Sequence, residues 1–185
     1  MPRQGLTSAK VVAAAAEMAD RDGLHAMSLA ALADALGVRV PSLYKHVDGL
    51  DDLQRRLAVE GISGLLAVLQ RAVRGKQGRD ALLAVGTAYR RYAKAHPGQY
   101  QVMQRAVWPG EAHAADAEQL VAVLTGVMGD YGLDGVEAVH AVRALRSALH
   151  GFVELERVGG FGLPTSVNAS FATMLATFDR GLRAT

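Results

Sequence analysis

The sequence contains no cysteine. Disulfide frameworks, thiolate metal sites and cysteine nucleophiles are therefore excluded. No apolar run approaches the roughly 20 residues of a membrane-spanning helix. No basic leader followed by an apolar core opens the chain, so a cytoplasmic location is expected. Aromatic residues make up only 5% of the chain, and no segment alternates apolar and polar with period two for long, so strands are not expected. There is no GxSxG, no phosphate-loop glycine pattern and no pair of histidines spaced as in HExxH, which argues against catalysis. Charge of one sign is lacking too. The formal net charge is +2, and the first fifty residues hold five Lys/Arg against five Asp/Glu. Any nucleic-acid binding must come from a local surface rather than from bulk charge.

What the chain does have is a compact signal from Ser28 to Val47. Ser28 can cap a helix by accepting an otherwise unpaired backbone N–H. Leu29, Leu32, Ala33 and Leu36 then share one face at helical spacing. Gly37 stands where that helix must stop. Pro41 suits the first turn of a second helix, which carries Ser42, Tyr44, Lys45 and His46 outward and Leu43 and Val47 inward. Ala33 is small enough to let the two helices approach. This is the pattern of a helix-turn-helix with a polar, aromatic and basic recognition helix. An ordinary corner between helices is the competing reading, but a buried corner has little use for Tyr, Lys and His together.

The amphipathic helix from about Thr7 to Asp22, Gly23, Ser28-Leu29, Ala33, Leu36-Gly37-Val38 and Pro41 to Val47 resemble the N-terminal part of the tetracycline-repressor (TetR) family of bacterial transcriptional regulators. The resemblance implies an all-α protein: a three-helix DNA-binding domain over residues 1–50, then a helical bundle over residues 51–185 for effector binding and dimerisation. It implies double-stranded DNA with a palindromic operator, a second copy of the chain and a small-molecule effector as partners, with no cofactor. Arg39, Ser42 and Lys45 are the candidate base or phosphate donors, with Pro41 among them as a further DNA-binding candidate. Tyr44 and His46 match the family's backbone-contacting pair. Thr7, Ser8, Lys10 and Ser28 are candidates for flanking phosphates, and Arg3 for a reach from a loose arm. One departure stands out. Many members place a lysine just after the recognition helix, where this chain has Asp48-Gly49-Leu50-Asp51-Asp52. The expectation is one phosphate contact fewer, and modest, salt-sensitive affinity.

Beyond the motif, apolar spacing predicts six further helices, about nine in all. Asp48 or Asp51 can cap the fourth, whose Gly61 and Gly64 mark either a bend or a close helix contact. The fifth runs from about Arg79 to Ala95 with Leu82, Val85, Tyr89 and Tyr92 on one face, and His96-Pro97-Gly98 stops it. The sixth carries Tyr100, Met103 and Val107 and reaches Trp108. The seventh runs from about Ala114 to Tyr131, and the eighth from an Asp134 cap to about Val158. The ninth carries the stripe Phe171, Met174, Leu175, Phe178 and Leu182. Helices eight and nine are the candidate dimer interface, through Ala144, Ser147, Gly151 and Leu155, aligned with His140, and through Phe171, Met174, Leu175 and Phe178. Tyr89, Tyr92, Tyr100, Met103, Trp108, Met128, His140, His150 and Phe152 are candidates for an apolar effector pocket. Taken singly, each is explained more simply as plain core, since a Tyr or Met stripe on a helix needs no ligand. The run Ser147 to Phe152 resembles a subgroup with a Trp…His-Gly signature, though Arg146 stands where the tryptophan is expected. Competing inputs are a histidine-bound metal or no ligand at all. An all-α enzyme using Glu111, His113, Asp116, His140 or His150 is the remaining alternative.

Overall fold

A computed structural model describes residues 5–104 and 114–184. The described residues form nine α-helices, one short 3-10 turn and no strand. None of these helices is long and apolar enough to cross a membrane. The expectations for Arg3, Val107, Trp108, Glu111 and His113 fall outside the described residues. The chain folds as two compact units: Met1–Ser63 with Ala95–His113, and Gly64–Lys94 with Ala114–Thr185.

The first unit opens with α1, Ser8–Asp22, capped by the Thr7 hydroxyl, which accepts the Lys10 N–H at 3.2 Å. Val11, Val12, Ala15, Ala16 and Ala19 form its buried face as spaced, joined by Met18. A 3-10 turn, Leu24–Ala26, leads to α2, Leu29–Ala35, whose cap is Ser28: its Oγ accepts the Ala31 N–H at 3.1 Å. Gly37 has φ +64°, a conformation that costs glycine nothing. It closes α2 with a pair of hydrogen bonds, Gly37 N–H to the Asp34 carbonyl and Val38 N–H to the Ala33 carbonyl. Arg39 precedes α3, Val40–Leu43, with Pro41 in its first turn. Regular helix ends earlier than the sequence suggests. The His46 N–H bonds the Leu43 carbonyl three residues back, so Tyr44 to His46 form a tightened last turn.

α4, Leu50–Val73, carries the chain from the first unit into the second. At its start the Asp48 N–H donates to Asp52 Oδ2 at 3.0 Å, so Asp52 reaches back to serve the entry and Asp51 lies within the first turn. The two mid-helix glycines are close-packing sites. A Cβ on Gly61 would lie 3.3 Å from the Gln99 carbonyl oxygen, and one on Gly64 would lie 2.6 Å from the Tyr92 hydroxyl. α6, Pro97–Gln104, belongs to the first unit, where Val102 enters the same apolar cluster as Val11, Leu32, Leu43 and Leu57.

The second unit comprises the end of α4, α5 (Gly78–Ala95, up to Lys94), α7 (Ala114–Gly129), α8 (Gly135–Arg157) and α9 (Val167–Arg183). Leu82, Val85, Tyr89 and Tyr92 of α5 are buried together, as their spacing requires. Asp130 Oδ2 accepts the Gly78 N–H at the start of α5. Asp134 occupies the cap position of α8, but its side chain makes no capping bond. α9 is capped by Ser166. Arg90 of α5 lies over the rings of Phe152 and Phe171, 5.6 and 4.7 Å from their centroids. It makes two 2.7 Å bonds to Glu156 and a third to Asn168 Oδ1. Lys94 adds a 2.8 Å contact to Glu156. The Arg90 guanidinium, hydrogen-bonded to Glu156, holds that carboxyl down at about 2 against the opposing effect of burial, and Lys94 helps.

Candidate nucleic-acid interface

The helix-turn-helix divides its side chains by burial as an interface requires. Leu43 and Val47 are fully inside, at 0% and 1% exposure. Arg39, Pro41, Tyr44 and Lys45 face solvent, and Ser42 and His46 are half-buried. Tyr44 is 57% exposed. A large aromatic left outside a well-filled core suits an external partner, because its ring can cover a sugar while its hydroxyl reaches a phosphate. Cationic groups, an aromatic and one small hydroxyl, Ser42, thus stand within a few residues on one short segment.

The flanking candidates separate into two kinds. Thr7 and Ser28 are exposed cap residues. Each oxygen accepts a backbone N–H, and a hydroxyl that accepts still has its O–H to give. Ser8 is different. Its hydroxyl donates to the His46 carbonyl at 3.1 Å and accepts from Arg56 Nη1 at 2.8 Å. Ser8 therefore ties α1 to the end of the recognition segment, a use that leaves it no proton for a phosphate. Lys10 is exposed, and its ammonium reaches the Gly5 carbonyl at 3.3 Å.

Asp52 and Arg56 are the residues that sequence reasoning missed. Asp52 is 7% exposed and pairs with Arg56 at 2.9 Å and with Arg55 at 3.4 Å. Its charge is thus balanced within α4. Only Asp48 and Asp51 of the three carboxylates after the recognition segment face solvent. The spacing of Asp52 and Arg56, four apart on a helix, was the available signal.

In the second unit, Tyr89, Tyr92, Met128 and Phe152 are buried, His150 is half-buried and His140 is exposed. His140 therefore belongs to an outer face of α8 and not to an internal cavity. Phe152 packs against Phe161 and Phe171, with centroids 4.7 and 5.0 Å away, so its ring is part of the aromatic cluster around Arg90. In the first unit Tyr100 is buried and Met103 half-buried. On α8, Ala144, Ser147 and Leu155 face solvent and Gly151 is half-buried. On α9 the apolar stripe splits. Met174 and Phe178 are half-buried, whereas Phe171 and Leu175 are 5% and 2% exposed and pack inside the subunit, with Leu175 against Gly86 of α5. Phe171 and Leu175 are thus removed from the candidate interface: four residues apart, they share the inward edge. Ala141, Ala144, Thr177, Phe178, Gly181 and Leu182 line a shallow apolar groove of about 270 Å³ between α8 and α9.

Two family models match the sequence: "Bacterial regulatory proteins, tetR family" over residues 11–53 and "Tetracyclin repressor-like, C-terminal domain" over residues 82–178. The chain is 36% identical over 182 residues to the uncharacterized HTH-type transcriptional regulator YobS of Bacillus subtilis, covering 98% of this chain and 95% of that protein. A protein of unknown function from Rhodococcus sp. RHA1 superposes with a TM-score of 0.80 at 24% identity, covering 99% of each chain. A TetR variant from Acinetobacter baumannii AYE, solved in complex with minocycline, superposes with a TM-score of 0.74 at 20% identity, covering 97% of this chain and 98% of that one. The last two likenesses are likenesses of fold.

Proposed function

Because the chain belongs to the TetR family of bacterial transcriptional regulators, and is thus a DNA-binding regulator and not an enzyme, we propose that it is a cytoplasmic repressor that binds a palindromic operator as a homodimer and releases it when a small, largely apolar molecule enters the second unit. The observation that carries this reading is the exposed set Arg39, Tyr44 and Lys45 standing over the buried Leu43 and Val47. One such segment is too short to read a long site, and a two-fold pair reads a palindrome. Lys45, Arg39 and Ser42 are the proposed donors to bases and phosphates; Tyr44, His46, Thr7, Ser28 and Lys10 hold the backbone.

The dimer is supported by the outer faces of α8 and α9. Leu155 is 48% exposed, and Ala144, Ser147 and Phe178 lie along or beside the apolar groove. Small residues permit a close helix approach across a two-fold axis. A small-molecule effector is supported by the minocycline bound to the Acinetobacter protein; Tyr89, Tyr92, Met128 and His150 are the candidates in the second unit.

Selection of genomic DNA fragments by the purified protein at moderate salt tests the reading, with Tyr44→Ala as control. Enrichment of one palindrome by the wild type, lost in the variant, is expected. No enrichment at low salt by folded protein would refute it.

A further inference from the structure

The recognition segment is too short to hold its own pose. Its regular helix, α3, is a single turn, Val40–Leu43, and one turn of helix is not stable alone. Leu43 and Val47 anchor it in the apolar cluster of the first unit, at 0% and 1% exposure. Apolar contacts of that kind are non-directional. They fix where the segment sits, and leave open how the turn between them, Tyr44 to His46, is rotated toward solvent.

Hydrogen bonds supply the direction. A carbonyl at the end of a helical turn lacks an N–H further along the helix. At His46 the Ser8 hydroxyl serves that carbonyl, at 3.1 Å. Two residues on, the Asp48 N–H donates to Asp52 Oδ2 at 3.0 Å. Arg56 joins these two bonds: its Nη1 donates to Ser8 Oγ at 2.8 Å and its Nε to Asp52 Oδ2 at 2.9 Å. The bonds form a closed ring, from the His46 carbonyl through Ser8, Arg56 and Asp52 to the Asp48 N–H, and back along the chain. All five residues belong to the first unit. Asp52 is 7% exposed and ionised groups make the stronger hydrogen bonds, so this carboxylate is a firm anchor. The guanidinium is planar and rigid, and its donors leave it in fixed directions. A lysine ammonium at position 56 would keep the charge but not the fork that spans both partners. The exit of the recognition segment is thus fixed at the two peptide groups flanking Val47, by one side chain of α4.

We propose that Arg56 is a positioning residue for sequence reading. Through Ser8 and Asp52 it sets the pose in which Tyr44, Lys45 and His46 meet the duplex, and it does not touch DNA itself. This rests on the reading of Arg39 to His46 as the DNA-contacting segment. Positioning and phosphate contact differ in what they change. A lost phosphate contact weakens binding on every sequence and lowers the salt slope. A tilted segment spoils base contacts and leaves the attraction to the backbone in place.

The test uses full-length wild type, Ser8→Ala, Arg56→Lys, Arg56→Ala and the double variant Ser8→Ala/Arg56→Ala. Each is titrated by fluorescence anisotropy with the selected genomic fragment and with an unrelated duplex of equal length, across a salt series, at a temperature where circular dichroism shows it folded. Arg56→Lys should bind the selected fragment about tenfold more weakly, on the scale of one charge-assisted hydrogen bond. Its affinity for the unrelated duplex should stay within about twofold of wild type, with the salt slope unchanged. Ser8→Ala, Arg56→Ala and the double variant should lose about the same factor as one another, because they break one shared chain of bonds. Amide hydrogen exchange should rise in a peptide covering 44–50 and not in one covering 29–36. Arg56→Lys carries the test if the alanine variants do not fold. Wild-type affinity in Arg56→Lys, with a slope lowered by about one per recognition helix in Arg56→Ala, would make Arg56 a phosphate contact and overturn the proposal. Losses that multiply in the double variant, or equal loss on both duplexes, would overturn it too. If the wild type does not prefer the selected fragment, or Tyr44→Ala binds it as tightly, the DNA-contacting segment is itself misplaced and the proposal falls with it, while the exchange data still report whether Arg56 holds the exit of the segment.

Discussion

Replacing Glu156 by Gln removes a charge without changing the shape of the side chain, and the structure fixes what that should cost. Glu156 and Arg90 are 17% and 13% exposed and share two 2.7 Å bonds, while the guanidinium stacks on Phe152 and Phe171. The carboxyl is held from an ordinary 4.5 down to about 2. At about 1.4 kcal/mol per unit, this shift corresponds to roughly 3 kcal/mol of folding free energy at neutral pH. The folded-state pKa lies below the unfolded one, so the contribution is complete above pH 4.5 and is lost as pH falls toward about 2. Glu156→Gln should therefore lose about 2–4 kcal/mol at pH 7, since Arg90 remains over two rings without its counter-charge. The wild type and variant should converge as pH is lowered through that window. Urea unfolding followed by circular dichroism, at one protein concentration and several pH values, measures the difference. A variant within about 0.5 kcal/mol of wild type at pH 7, or a difference that is the same at low and neutral pH, would refute the reasoning.

Other changes have equally definite outcomes. Gly37→Ala keeps open space around the new methyl but forces φ +64° on a residue that avoids it, so thermal unfolding should report a loss of about 1 kcal/mol with DNA contacts otherwise intact. Ser8→Ala removes both the bond to the His46 carbonyl and one of the two bonds that hold Arg56, the other being to Asp52; it should destabilise the recognition domain by about 1 kcal/mol in urea unfolding. Lys45→Ala should weaken DNA binding on all sequences and lower the slope of log affinity against log salt by about one per recognition helix, measured by anisotropy across a salt series. Leu155→Glu places a charge on the outer face of α8, and sedimentation should show monomers where the wild type gives dimers.

Local chemistry made the recognition domain legible. Thr7, Ser28 and Gly37 act on N–H and carbonyl groups three to five residues away, so their capping is written in adjacent letters. The buried faces of α1 and α5 follow in the same way from helical spacing. Legibility fails where one side chain has two possible uses. Ser8 looks like any exposed hydroxyl near a helix start, but its partners lie 38 and 48 positions away. Phe171 and Leu175 share a stripe with Met174 and Phe178, and only the packing of α5 beneath α9 shows which edge turns inward. Asp20 of α1 accepts the Gly98 and Gln99 N–H groups of α6 across 78 and 79 positions, a distance over which composition and periodicity carry no signal. The choice between hinge and close packing at Gly61 and Gly64 likewise needed the neighbours, Gln99 and Tyr92.

If the exposed side chains between Arg39 and His46 read DNA, a hydroxyl-radical footprint on the selected fragment will show it. Wild-type protein should protect two backbone patches related by two-fold symmetry and about one helical turn, roughly 34–36 Å, apart. Tyr44→Ala should lose both patches while its unfolding curve stays unchanged, because Tyr44 is 57% exposed and contributes little to the core. A wild-type footprint that survives intact in Tyr44→Ala and in Lys45→Ala would place the DNA-binding surface elsewhere.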